Sequence, residues 1–278
     1  MGISTANSDI VTRQDVIALD THHLRPKPAN RHYPIAYQHI IETVEKVMWN
    51  LFGFEMVQET YALGGKSRTT GMYEMMYGLF TYDTGHPRFG LNVAFRGSHF
   101  KKLAAAVAAG VAAFVCDNGC LSGDSFKVSR KNTQFGEVEF AQMIEGNAHA
   151  MVEDYRNMLG EYETFEAIDI THDRGFEILG LINGYKVLKA DQLSIAVESW
   201  INPPQEDWEP RNMFSLYNAV TEGLKKGSVR DKFSDQMNAH QWFRAFIADQ
   251  YSEKKTIHTV PGNILDCYKM RDEEGELV

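Results

Sequence analysis

The chain reads as an α+β protein: a three-stranded antiparallel meander flanked by helices, with a mainly helical C-terminal half. Three observations predict this. Strand-like runs over 54–63, 71–82 and 88–95 are separated by Gly64-Gly65 and Thr84-Gly85-His86-Pro87, and short turns between successive strands imply antiparallel pairing. Apolar residues recur at helical spacing before and after those runs, and from Val138 onward helical spacing dominates. A hydrophobic content of 44% with 12% aromatics supplies a substantial core.

Residues 1–33 form an N-terminal lead-in, in which Thr12-Arg13-Gln14-Asp15 can cap a short turn through Val16, Ile17 and Leu19. Pro26, Pro28 and Pro34 keep the following stretch extended, and the adjacent His22-His23 do not converge on one metal ion in a helix. Pro34 suits a first helical position; Ile40, Val44, Val47 and Leu51 then make an apolar stripe that Tyr37, Ile41 and Met48 widen and Gly53 ends. The meander follows and stops at Arg96-Gly97. Ser98 is placed to cap a second helix, with Leu103, Val107, Val111 and Phe114 at helical spacing and alanines between. Asn118-Gly119 and Ser122-Gly123 mark turns before a short strand over 126–129. These elements define a core over 34–135.

A helical region over 136–252 is expected to pack on that core. Phe140, Ile144, Ala148 and Met151 line the face of its first helix, continued by Tyr155, Met158 and Leu159, with Glu161, Glu163 and Glu166 in a solvated connection. Further helices are predicted over 176–185, over 188–200 before Asn202-Pro203-Pro204, from Pro210 to Lys225-Lys226-Gly227, and over 233–251. Residues 253–278 form an acidic tail.

Charge is the most informative global feature. The net charge is −9, yet 64–131 holds nine Lys or Arg (Lys66, Arg68, Arg88, Arg96, Lys101, Lys102, Lys127, Arg130, Lys131) against four acids, a local +5. An acidic chain with one basic block points to a local anionic partner rather than to general polyanion affinity. In the predicted second helix Lys101 and Lys102 fall in the first turn, where the macrodipole disfavours cations and favours anions. Tyr73, Tyr77, Phe80, Tyr82, Phe89, Phe95 and Phe100 interleave with the cations, a pattern suited to single-stranded nucleic acid, although at least half of these rings read as sheet core.

Other chemistries fare less well. Gly64-Gly65-Lys66-Ser67 lacks the upstream glycine of a phosphate-binding loop, because Thr60 stands there, so it reads as a hairpin turn with a basic tip. His172-Asp173 has no companion cluster, and the Asp reads as a helix cap; Glu137, Glu139, Glu145, Glu153 and Asp154 read as a solvated helix face. Cys116, Cys120 and Cys267 make neither a disulfide framework nor a zinc set, which fits a reducing cytoplasm, and the apolar run 104–115 is too short for a membrane span. No metal, cofactor or catalytic residue is expected.

Several landmarks resemble the phage- and plasmid-encoded family called domain of unknown function 932, over roughly residues 31–245. They are Arg31-His32-Tyr33-Pro34-Ile35, Gly53-Phe54, Gly97-Ser98-His99-Phe100, Cys116-Asp117-Asn118-Gly119-Cys120-Leu121, Trp200-Ile201-Asn202-Pro203 and Gly223-Leu224-Lys225-Lys226-Gly227. Phe100 stands where that family carries an acid after the central His. The predicted order of helix, three strands and basic-started helix is similar to the core of single-strand annealing recombinases of the Red-beta, RecT and Erf type. That likeness implies a phage or mobile-element protein that binds single-stranded DNA as a homo-oligomeric ring or filament, with a phage exonuclease or host protein as a possible further partner. The expected contacts are Lys66, Arg68, Arg88, Arg96, His99, Lys101, Lys102, Lys127, Arg130 and Lys131 on phosphates, with Phe89 or Phe100 wedged against bases. Two alternatives stand beside it: an interaction protein working through its acidic half, and a metal-dependent phosphoesterase around His172 and Asp173.

Overall fold

The computed structural model describes residues 8–20, 33–67, 71–100, 102–113, 119–121, 127–131, 133, 135–228 and 230–251. The α+β class holds, and the C-terminal half is helical as the spacing predicts. The meander is the middle of a larger sheet. Seven antiparallel strands run β1 (Ser8–Val11), β2 (Glu55–Gly64), β3 (Met75–Asp83), β4 (Phe89–Gly97) and β5 (Ala105–Ala113), with β6 (Gly119–Leu121) and β7 (Lys127–Arg130) sharing the far side of β5.

The main correction concerns β5. The alanine-rich segment expected as a helix is a strand paired on both sides, Phe89↔Ala113 through Arg96↔Ala106 with β4 and Ala105↔Arg130 through Ala108↔Lys127 with β7. Alanine favours a helix by only a few tenths of a kcal/mol over valine, and Gly110 in a helix interior costs about 1 kcal/mol. Two-sided pairing in a buried sheet outweighs that preference. Ser98 therefore caps no helix, and the order of helix, three strands and helix, on which the likeness to annealing proteins leaned, is not the order this chain adopts.

The lead-in is also more ordered than expected over its described part. Residues 8–11 add β1 to the edge of β2, and Thr12 forms the anticipated capping box with Asp15 at the start of α1 (Arg13–Ala18). Helix α2 (Tyr37–Phe52) ends at Gly53, whose φ of 64° is the left-handed conformation a glycine stop requires.

One sheet face carries Tyr61, Leu63, Met76, Phe80, Leu91, Val93, Phe95, Val107 and Val111, buried in one cluster with residues of α2 and of α3 (Gly136–Glu166). Phe95 lies so close over Gly78 that a Cβ there would sit 2.1 Å from its ring. The opposite face is built from small residues, Ala62, Ala94, Ala106 and Ala108, with Tyr77, Leu79 and Met237 of α7 (Lys232–Tyr251). Helix α3 continues through Glu161 and Glu163 to Glu166 instead of loosening into a connection.

Helices α4 (His172–Gly184), α5 (Ala190–Ile201) and α6 (Met213–Leu224) complete the helical half, with α6 buried along nearly its whole length. Arg211 lies 4.6 Å over the Trp200 ring and donates to the carbonyls of Trp200 and Ile201, so a cation closes the C-terminal end of α5. Buried His240 joins three helices, with Tyr217 Oη 3.1 Å from its Nδ1 and Glu161 Oε2 2.9 Å from its Nε2.

Candidate nucleic-acid interface

The fold sorts the basic block by strand ends. The β2–β3 connection, the β4–β5 connection and the β7–α3 connection emerge at one end of the sheet, because Gly64 pairs with Met75, Gly97 with Met76, and Ala105 with Arg130. Lys66, Lys102, Arg130 and Lys131 lie at this end. Arg88 immediately precedes β4 at the opposite end.

Each connection is built locally. In the β2–β3 connection Ser67 N donates to Met72 O at 2.8 Å and Gly71 N to Ser67 O at 2.8 Å, closing the hairpin, whose tip over 68–70 lies outside the described residues. Exposed Lys66 places its Nζ 5.1 Å above the half-buried Tyr73 ring. Glu74 joins this hairpin to the next one: Ser98 Oγ is 2.6 Å from Glu74 O, and Lys102 Nζ is 3.3 Å from Glu74 Oε2. Arg130 pairs with Glu139 in the first turn of α3, and Lys131 is exposed beside it.

Beneath this surface lies a buried polar cluster that fixes the β4–β5 connection. Asp20 accepts the backbone N–H groups of Tyr37 and Gln38, each at 2.8 Å, and so occupies the N-terminus of α2. Its Oδ1 is also 2.8 Å from His99 Nε2, and the His99 ring stacks on Tyr37 at 3.8 Å between centroids. Burial pushes the Tyr37 hydroxyl well above its ordinary range, even though it accepts the His99 N–H. His99, expected as a nucleic-acid contact, is 5% exposed and positions the chain instead.

Three other expected contacts are corrected. Arg96 projects from the small-residue face and donates to Arg230 O at 3.2 Å; burial holds its guanidinium below its usual range, offset by nearby Asp231. Arg88 is held by Glu166 in a two-pronged pair at 2.5 and 3.2 Å, on a cleft of about 410 Å³ whose other charged walls, Glu206 and Asp207, are acidic. Phe89 is 4% exposed, packed against Tyr162 and Phe214, and cannot wedge against a base. Its alternation with Leu91, Val93 and Phe95 already placed it on the core face. Of the interleaved aromatics only Tyr73 and Phe100 keep appreciable exposure; Tyr77, Phe80, Tyr82 and Phe95 are core.

Arg68 and Lys101 lie outside the described residues, as do Cys116 and Cys267; Lys127 is described only as a member of β7. His172 packs between Phe176 and Trp200. No group of three or more His, Cys, Asp or Glu able to hold a metal occurs among the described residues, and no described helix is long and apolar enough to cross a membrane. The residue that sequence reasoning missed is Phe135, 66% exposed where β7 hands over to α3. Its signal was a large apolar residue one position before a helix start, four residues after Lys131. No protein-family model, curated protein or solved structure matches this chain.

Proposed function

We propose that the chain binds single-stranded nucleic acid through the basic end of its sheet, by charge and stacking and without breaking a bond. The observation that carries this reading is convergence: three connections far apart in sequence bring Lys66, Lys102, Arg130 and Lys131 to one strand end. Lys102 and Arg130 are each paired with a carboxylate, but such part-exposed pairs contribute only about 0–1 kcal/mol. A phosphate that also gains counterion release competes readily with them. The acidic remainder of the chain confines binding to this end and opposes collapse onto the polyanion.

Fluorescence anisotropy with a labelled oligo-dT at low salt tests the assignment. Lys66→Glu with Lys102→Glu should abolish binding. Arg156→Glu should leave it intact, since Arg156 lies on α3 about 30 Å from the helix start by a rise of 1.5 Å per residue. Equal effects of the two changes would refute a localised interface.

A further inference from the structure

We infer that Phe135 is the base-stacking residue of this surface, an assignment that rests on the nucleic-acid reading above. Phe135 is the most exposed large hydrophobic side chain among the described residues at 66%, whereas Phe80, Phe89 and Phe95 of the sheet are at most 4% exposed. Val138, one turn further along the same helix face, is 61% exposed and extends the apolar step.

The backbone ties this ring to the cations. Thr133 N donates to Lys131 O, Gly136 N donates to Thr133 O, each at 2.9 Å, and Glu139 N donates to Phe135 O at 3.0 Å. The chain is so tight there that a Cβ on Gly136 would sit 3.0 Å from Lys131 O. Lys131 and Phe135 therefore leave one compact turn, at the end of the sheet where Lys66 and Lys102 also emerge. The neighbouring acids have partners of their own, Glu137 Oε1 lying 3.6 Å from His39 Nδ1 and Glu139 pairing with Arg130.

An aromatic face beside phosphate-binding cations fits an unstacked base. Bases within a duplex are already covered on both faces, so the same ring gives a preference for single strands.

The test compares wild type, Phe135→Ala, Phe135→Leu and Lys102→Ala with Lys131→Ala on a twenty-nucleotide oligo-dT across a salt series. Loss of one stacked base weakens affinity about tenfold. Phe135→Ala should show that loss with an unchanged salt slope, and Phe135→Leu should behave alike because it keeps apolar bulk without an aromatic face. The unfolding midpoints of both should match wild type, since the side chain is exposed. If both Phe135 variants bind like wild type while the lysine variant weakens, the stacking assignment is overturned and the interface stands. If wild type itself does not bind at low salt, the interface falls and the assignment with it.

Discussion

Asp20 is the residue whose removal the structure makes most consequential outside the apolar core. Its carboxylate holds two N–H groups at the start of α2 and faces buried His99, whose ring stacks on Tyr37. Asp20→Ala strips a helix cap, which costs about 1 kcal/mol, and leaves buried polar groups without that acceptor at about 1–3 kcal/mol more. A loss of roughly 2–4 kcal/mol is expected. Spread over 278 residues at an unfolding entropy of about 2.1 cal/mol/K each, this lowers the melting midpoint by about 3–7 °C. The assay is urea and thermal unfolding of Asp20→Ala, His99→Ala and the double variant. Because each side chain loses its partner when the other is removed, the double variant should be less destabilised than the sum, with a coupling of about 1–3 kcal/mol. Additive effects, or a single Asp20→Ala loss below about 1 kcal/mol, would refute the view that this cluster fixes the β4–β5 connection.

Other consequences can be checked on the same protein. Gly78→Ala forces a methyl into the Phe95 ring and should destabilise the fold by about 1–3 kcal/mol in urea unfolding, although alanine is small and Gly78 has no positive φ. Tyr37, Tyr61 and Tyr82 all have hydroxyls pushed upward, chiefly by burial. Their raised folded values favour the folded state fully below an unfolded tyrosine's value of about 10, and that contribution is lost as pH climbs toward the folded values. Stability should thus fall with pH above about 10, and ultraviolet titration should show these three phenols ionising together with unfolding.

Where the sequence was readable, local chemistry decided the structure. Gly53 ends α2, Thr12 and Asp15 build their capping box, and Asn212 accepts Ser215 N–H at the start of α6, just after Pro210. These signals need no distant partner. Segment 105–113 was misread because alanine and glycine blur the difference between the two periods: Ala105, Val107, Ala109 and Val111 face α2 and α3, but their alternates are equally small and apolar. Pairing with β4 and β7 decided the outcome, and pairing is not local. The site divides in the same way. That cations crowd 64–131 is visible in composition, but which share a surface depends on strand ends. Thus Arg88 was grouped with residues at the opposite end of the sheet, Arg96 was read as a contact although the register turns it to the small-residue face beside Arg230, and His99 although it is buried. The Asp20–His99 pairing joins segments remote in sequence and left no trace in either one. Phe135 was passed over because exposure, which makes it informative, exists only in the folded chain.

The salt dependence of oligo-dT binding tests the central claim most directly, since it counts the phosphates neutralised. Four cations at the sheet end predict a log–log slope of about −2 to −3 for a single strand. Replacing Lys66, Lys102 and Lys131 together by alanine should reduce the slope to about −1. No binding at low salt, or the same slope before and after the triple replacement, would contradict a nucleic-acid interface built from these residues.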